Sequence, residues 1–321
     1  MSGPIQPTID AYGRYARASN LADHLELLAL LGHGLSRSAL ADLVADRSWI
    51  ARLDELFEGG SVTSRGDFEE PADQDGEATG EQPGAAQASR VFDVLDERSD
   101  LLGDIYPFMV ADDLTMKDDV DPLESPYVAL LAITLAHAHD LETEHDPKRV
   151  LEDVVAAALA TRGLEAINVG AVSRGGHDFR ETVRRSGSAV GLQPTPTAAV
   201  THTFANEEGV DTLAHLSWGD QRTGAWVFVG QATCSRSDRW SAKMGEPKPD
   251  SWKLLLNCGV LPLPFLAVPH HVEPPHWAKL VQDHGKLVLD RIRLARHRDE
   301  VTPPEAAIIE AVLNVGVEEL A

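Results

Sequence analysis

The front half of the chain carries apolar residues that recur every three or four positions, which is the spacing of an amphipathic helix. This pattern predicts helices over residues 20–58, 88–102, 125–139 and 147–162. Ser36 can cap the later part of the first segment. Residues 59–88 are acidic, rich in Gly and Pro, and poor in large apolar side chains, which is typical of a disordered loop. We therefore predict an acidic helical domain over residues 1–160.

After Gly163 the pattern changes to short β-branched and aromatic runs that are separated by polar breaks. These runs predict strands over 198–204, 210–218, 225–233 and 261–268. The polar break Gly219–Gly224 predicts a hairpin between the second run and the third. Helices are predicted over 178–192, 240–243, 251–256, 276–294 and 303–314. The alternation predicts a second domain over 163–321, an α/β fold in which helices flank a central mixed sheet.

Composition narrows the class of protein. No stretch approaches the roughly 18 consecutive apolar residues of a membrane span, and the N-terminus lacks the basic and apolar segments of a signal peptide. The two cysteines, Cys234 and Cys258, are too few for a disulfide framework or a closed zinc site. These features predict a cytoplasmic protein that does not contact a membrane.

The formal net charge of −23 is unevenly distributed along the chain. Residues 1–150 carry 30 acids and 11 bases, whereas residues 170–298 carry 12 acids and 16 bases. Binding of a polyanion depends on the local field more than on the total charge, so the second half remains compatible with nucleic acid. The acidity of the first half is compatible with acidic surface residues that keep the protein soluble in a salt-adapted or high-GC prokaryote.

Three polar residues in the second half are spaced so that they can meet. Asp211 starts the second predicted strand, and Gln231 lies 20 residues on, near the end of the third. Because the hairpin pairs these strands antiparallel, both residues fall at the ends away from the turn. Lys243, on the following predicted helix, can point its ammonium group at the same place. Carboxylate and amide oxygens are hard ligands that suit Mg²⁺ or Mn²⁺, and a nearby lysine can position water or stabilise negative charge.

This arrangement resembles the PD-(D/E)xK restriction-endonuclease-like nucleases over roughly residues 165–270. In that family a helix precedes a mixed sheet, an acid lies on the second core strand, and a (Glu/Gln)-x-Lys triplet lies on the third. Asp211 matches the acid and Gln231 matches the Glu/Gln position. The triplet ends here in Thr233 instead of lysine. In some members of the family the lysine has moved to the following helix, which is where Lys243 stands.

The resemblance implies a Mg²⁺- or Mn²⁺-dependent endonuclease that hydrolyses the phosphodiester bonds of DNA, or of RNA. Asp211 and Gln231 would hold the metal, with the carbonyl of Ala232 as a further oxygen ligand. The same stretch is similar to uncharacterised prokaryotic members associated with phage defence, which implies other defence-system subunits as partners of the N-terminal domain. Further candidates are two additional acids and four arginines that could meet phosphates, namely Asp178, Glu181, Arg184, Arg185, Arg236 and Arg239.

Each assignment has a structural alternative. Asp211 could be a turn residue, Gln231 a hydrogen-bonded strand residue and Lys243 a solvated helix residue. The threonine in the triplet also allows an inactive, nuclease-like scaffold subunit of a multi-protein complex. A DNA-binding helix-turn-helix over 25–44 is a further alternative, but its second helix offers Arg37 alone against two aspartates, which favours helix packing.

Overall fold

The computed structural model describes residues 12, 16–45, 83–176, 178–200, 209–220 and 222–315. The described helices are α1 (Arg17–Leu30), α2 (Arg37–Ala45), α3 (Pro83–Leu102), α4 (Pro126–Ala138), α5 (Pro147–Thr161), α6 (Val169–Arg174), α7 (Phe179–Ala189), α8 (Pro196–Val200), α9 (Trp240–Met244), α10 (Pro249–Leu255), α11 (Pro274–His284), α12 (Arg291–Arg296) and α13 (Pro303–Val315). The described strands are β1 (Phe108–Val110), β2 (Leu114–Met116), β3 (Glu165–Asn168), β4 (Thr212–Leu216), β5 (Trp226–Ala232), β6 (Leu263–Ala267) and β7 (Leu287–Leu289).

Five strands of the second half form one mixed sheet in the order β3-β4-β5-β6-β7. Strand β4 runs antiparallel to both of its neighbours, while β5, β6 and β7 run parallel to one another. Helix α5 packs against β3, β4 and β5, and helices α9 and α11 pack against β6 and β7 respectively. The predicted fold class, a mixed α/β fold with a central mixed sheet flanked by helices, is confirmed at this level, and the sheet has five strands.

The predicted hairpin joins β4 to β5, and its register fixes which residues meet at its open end. Leu216 pairs with Trp226 beside the turn, and Thr212 pairs with Gly230 at the far end. A Cβ atom on Gly230 would lie 2.0 Å from Cζ of Phe265. Glycine is therefore needed at this position of β5, so that the ring of Phe265 can pack across the strand.

The predicted helices of the front half are largely present, and their caps follow the sequence. The hydroxyl of Ser36 accepts a hydrogen bond from the amide of Ala39 at 3.0 Å, as predicted. The hydroxyl of Ser125 accepts one from the amide of Val128 in the same way. Helix α2 packs on α3, where Arg37 lies 4.9 Å from the ring centre of Phe92. The arginine of the alternative recognition helix therefore contacts a neighbouring helix.

Four predictions of secondary structure differ from the structure. Helix α3 begins at Pro83, inside the predicted loop, because proline is favoured at the first helical position and alanines follow it. Residues 108–116 add a small antiparallel pair, β1 and β2, to a domain predicted to be helical. Residues 198–200 of the first predicted strand belong to helix α8, and the sheet begins instead with β3. The predicted helix over 276–294 ends at His284, where Gly285 adopts φ +59°, and strand β7 follows.

Parts of several predictions lie outside the described residues. These parts are residues 46–58 of the first predicted helical segment, 59–82 of the predicted loop and 201–204 of the first predicted strand. The predicted domain boundary near residues 160–163 stays a prediction. Side chains from both predicted domains share one hydrophobic cluster, in which Leu131 and Val155 occur together with Phe265 and Ile309. No helix within the described ranges is both long enough and apolar enough to cross a membrane.

Candidate functional site

The open end of the β4–β5 hairpin brings together Asp211, Gln231 and Ala232, which we call the sheet-end site. The amide of Asp211 donates to the carbonyl of Gly230 at 2.8 Å. Oδ2 of Asp211 then accepts a hydrogen bond from the amide of Ala232 at 2.9 Å. Gln231 precedes Ala232 in β5 and is 8% exposed. The described contacts of Asp211 are thus with the backbone of Gly230 and Ala232, the two residues that flank Gln231 in β5.

The contact between Asp211 and Ala232 also gives the carboxylate a structural task. The regular ladder ends at the pair Thr212 and Gly230. Two residues farther along β5, the amide of Ala232 donates to the side chain of Asp211. A carboxylate offers about four lone-pair sites, so accepting this amide does not exhaust its capacity. Since N–H and C=O of one strand residue point to the same side, the carbonyl of Ala232 is directed toward the same edge as Asp211. The Asp211 carboxylate and the Ala232 carbonyl therefore face the same edge, and Gln231 lies beside them in the chain of β5.

Lys243 lies near the end of α9, and its ammonium group is held by a carboxylate that the sequence did not suggest. Nζ of Lys243 lies 2.9 Å from Oε1 and 3.0 Å from Oε2 of Glu246. The backbone of Glu246 is pressed against Gly209, where an added Cβ atom would lie 2.5 Å from the Glu246 carbonyl oxygen. Gly209 precedes Asp211 by two residues. The Lys243–Glu246 pair is therefore packed against the segment that leads into the sheet-end site.

Helix α5 supplies two further carboxylates near the first strand of the sheet. Oδ1 of Asp153 accepts a hydrogen bond from Nδ2 of Asn168 at 2.7 Å, and Asn168 ends β3. The next amide, that of Val169, donates to the carbonyl of Asp211 at 2.8 Å. Oε2 of Glu152 lies 2.8 Å from Nη1 of Arg174, and burial raises the pKa of the Glu152 carboxyl. These acids lie on the helix that precedes the sheet, the position that the resemblance assigns to an additional acid.

Sequence reasoning placed that additional acid on a different helix. Helix α7, which carries Glu181 and is capped by Asp178, follows β3 instead of preceding the sheet. The carboxylate of Asp178 accepts the amide of Glu181 at 2.8 Å, as an N-cap residue does. Arg184 and Arg185 both donate to the carboxylate of Glu181, at 2.6 to 2.7 Å. The hydrogen bonds from these two arginines, Arg184 first, lower the pKa of Glu181 to about 2.

The predicted acid and two of the predicted phosphate contacts on α7 therefore pair with one another on the surface. The other two predicted arginines, Arg236 and Arg239, are exposed; Arg236 precedes a short 3-10 turn between β5 and α9, and Arg239 ends it. Nε of Arg236 lies 3.4 Å from Asp238. These two arginines follow β5 directly in sequence, so they remain closer along the chain to the sheet-end site than the α7 pair.

Thr233, at the position where the resemblance expects lysine, is buried and structural. Its hydroxyl donates to the hydroxyl of Ser235 at 2.8 Å and accepts the Ser235 amide at 3.1 Å. This turn redirects the chain from β5 toward α9. There Trp240 is fully buried, donates through Nε1 to the carbonyl of Ser235, and stacks on His276 with ring centres 5.1 Å apart. The tryptophan anchors the helix that carries Lys243.

The donor set sets a limit on metal binding. Within the described part of the chain, no group of three or more His, Cys, Asp or Glu side chains is arranged to hold a metal ion. The sheet-end site contains one carboxylate, and its other oxygens come from a carboxamide and a carbonyl. This composition suits a hard cation that keeps several waters, as Mg²⁺ does, and does not suit zinc.

The chain was compared with protein-family models, with curated proteins and with solved structures. None of the three comparisons found a match.

Proposed function

We propose that the protein is a metal-dependent nuclease that hydrolyses DNA phosphodiester bonds at the sheet-end site. The observation that carries the proposal is that the carboxylate of Asp211, just before β4, accepts the amide of Ala232, the residue after Gln231 in β5. An acid on the second strand and a glutamine on the third match the resemblance of the sequence to PD-(D/E)xK nucleases. The helix before the sheet and its acids Glu152 and Asp153 agree with the same pattern.

The residues of the site fit Mg²⁺ or Mn²⁺ through the chemistry of their donors. Asp211 contributes a carboxylate, Gln231 a carboxamide oxygen and Ala232 a carbonyl, all of which are oxygen ligands. Magnesium commonly uses one or two protein carboxylates and completes its shell with water and substrate phosphate, so a site with few protein ligands suffices. When bound, the ion would acidify a water molecule and polarise the phosphoryl oxygen.

Lys243 would stabilise the negative charge that develops on the phosphate. In support of this role, Lys243 pairs with Glu246, whose backbone contacts Gly209 two residues before Asp211, and the lysine side chain is 30% exposed. Glu246 holds the ammonium group by charge before substrate arrives, and a phosphate oxygen would compete for the same three donors. Lys243 would therefore perform the function of the lysine that ends the family's triplet, at the position where this chain has Thr233.

The experiment compares two substitutions of Asp211 in Mg²⁺- and Mn²⁺-dependent cleavage of plasmid and phage DNA. Asp211→Asn keeps an oxygen that can accept the Ala232 amide and removes the charge, whereas Asp211→Ala removes both. We expect both variants to lose at least about 100-fold in cleavage rate, because changes in the outer shell of a metal site alone cost about 10- to 100-fold. The matched control is Asp220→Asn, at the turn end of the same hairpin. Cleavage by Asp211→Asn at the wild-type rate would exclude the assignment.

A second candidate function is an inactive nuclease-like scaffold within a prokaryotic defence complex. The observation that favours it is the commitment of Thr233 to the Ser235 turn and of Lys243 to Glu246. Under this alternative the wild-type protein would cleave neither DNA nor RNA in Mg²⁺ or Mn²⁺ and would still assemble with partner subunits. Testing double-stranded DNA, single-stranded DNA and RNA in parallel separates the two candidates and identifies the substrate of an active enzyme.

A further inference from the structure

Three lysines gather around the end of helix α9, and we call them the lysine cluster: Lys243, Lys248 and Lys286. Nζ of Lys248 donates to the carbonyl of Gly245 at 2.9 Å, and Nζ of Lys286 donates to the carbonyl of Met244. Lys243 is paired with Glu246 in the same turn. The whole chain contains seven lysines, so this one turn collects a large share of them from separate segments.

Capping of helix carbonyls explains the cluster only in part. Cations are favoured at a helix C-terminus, but α9 has five residues and the effect of its dipole is correspondingly small. Each ammonium group has three donors, and a single carbonyl occupies one of them. Among the residues that the structure describes, one carboxylate, that of Glu246, is in contact with an ammonium group of this cluster. The three lysines and Glu246 together carry a net positive charge, and the ammonium groups keep donor capacity.

Lys286 carries an electrostatic cost in this position. It precedes β7 and is partly buried. Burial lowers its pKa, and the charge of Lys248 lowers the pKa further. Two ammonium groups that repel one another beside solvent are stabilised by an anion that lies between or beside them. Lys248 is exposed, so an anion from solution can reach the pair.

The cluster lies next to the sheet-end site. Gly209 contacts the backbone of Glu246, and the Cα atoms of Gly209 and Asp211 can be at most about 7 Å apart. A nucleic-acid strand carries one phosphate per roughly 3.4 Å of helix axis. A strand whose scissile phosphate lies at Asp211 would therefore bring a phosphate one to three nucleotides away to the region of Glu246 and the lysines.

We propose that Lys248 and Lys286, together with Lys243, bind a backbone phosphate of the nucleic acid beside the sheet-end site. This inference rests on the proposed nuclease function and names the residues that hold its substrate. It assigns the neighbouring phosphate to lysines from α9, from the loop after it and from the residue just before β7. The α7 arginines, which are paired with Glu181, are not needed for this contact.

The test measures binding of a short labelled DNA duplex without divalent metal, as a function of salt. Lys248→Gln/Lys286→Gln is compared with Lys253→Gln/Lys117→Gln, which removes the same charge from lysines outside the cluster. We expect the cluster variant to lose about tenfold or more in affinity at low salt. The slope of log K against log salt should become shallower by about 1, because the loss of one phosphate contact reduces the slope by about 1. Equal slopes and affinities in the two double variants would overturn the proposal.

Further arms separate this inference from loss of folding and from loss of the nuclease function. Lys248→Arg/Lys286→Arg keeps both charges and should retain wild-type binding, while a purely structural role would not predict rescue by charge. A mononucleotide that competes as well as an oligonucleotide of equal phosphate concentration would overturn the assignment to the backbone. Because binding is measured without metal, the lysine assignment stands on DNA binding even if the wild-type protein cleaves nothing. If the protein cleaves DNA and the cluster variant binds like the wild type, the nuclease function stands and the cluster assignment falls.

Discussion

At the scale of single residues, the position of Lys243 depends on a glycine that carries no chemistry. Gly209 adopts φ +68°, and an added Cβ atom would lie 2.5 Å from the Glu246 carbonyl and 2.8 Å from its Cβ atom. The absence of a side chain thus allows the turn after α9 to approach the start of β4. Through Glu246, this close approach sets where the ammonium group of Lys243 is held.

We predict that Gly209→Ala lowers the free energy of unfolding by about 2–4 kcal/mol and slows cleavage. The strained backbone costs about 1–2 kcal/mol for a residue with a Cβ atom, and the clash with Glu246 adds to this cost. Gly219→Ala is the matched control, because Gly219 has φ +72° and no atom within 4 Å of the added Cβ. Urea denaturation and cleavage assays measure the two effects. Equal losses in both variants would mean that the Glu246 contact does not matter.

At the scale of helices and strands, a buried ionic network joins the first helix to the last third of the chain. Arg98 on α3 lies 2.8 Å from Asp23 and 2.9 Å from Glu26, both of which are on α1. Arg291, at the start of α12, lies 2.6 Å from Asp23, and all of these side chains are at most 1% exposed. The hydroxyls of Tyr106 and Tyr127 donate to Glu26 at 2.6 and 2.7 Å. Each buried charge has a partner of opposite sign, so removal of one side chain leaves a buried charge without that partner.

We predict that Arg98→Met destabilises the protein by about 3–5 kcal/mol, because Asp23 and Glu26 would lose a buried partner. The matched control is Arg90→Met on the same helix, where the side chain is exposed and we expect a change of less than about 1 kcal/mol. Chemical denaturation measures both variants. A loss for Arg98→Met no larger than that for Arg90→Met would show that the network contributes little to folding.

The sequence predicted the elements that depend on neighbouring residues, and it missed the contacts between distant segments that the network illustrates. The periodic pattern predicted α4, α5 and the β4–β5 hairpin, because each follows from neighbouring residues. Counting outward from that hairpin also predicted that Asp211 lies near the end of β5, where it accepts the amide of Ala232. The ion pairs of Arg98 and Arg291 depend on contacts between segments distant in sequence, and periodicity carries no information about them. The same holds for Glu152, which becomes a neighbour of Asn168 and Arg174 only when α5 packs on the sheet.

At the scale of the whole molecule, charged side chains are unevenly distributed along the chain, and some histidines are buried in the interior. The front half is strongly acidic, while residues 240–298 carry nine bases and five acids. The interior, in contrast, holds several uncharged imidazoles. His24 and His270 are at most 3% exposed, and burial is the main cause that lowers the pKa of each to about 4. These two side chains lie in different predicted domains, so their protonation opposes folding of both.

We predict that the free energy of unfolding falls as pH decreases from about 6.5 to about 4. The folded-state pKa of His24 lies below the usual value of 6.5, so the unfolded chain binds more protons in this window and acid favours unfolding. Each such histidine contributes a slope of up to about 1.4 kcal/mol per pH unit, and its contribution is constant above pH 7.5.

His24→Gln removes one of these titrations, whereas His33→Gln changes an exposed histidine and serves as the control. Carboxyls with raised pKa values, such as that of Glu152, oppose the trend in every variant alike, so the difference between the variants isolates His24. Urea denaturation at pH 7.5, 6.0 and 5.0 should give a shallower pH dependence for His24→Gln than for the wild type and the control. Parallel curves for all three proteins would contradict the burial of a neutral imidazole at position 24.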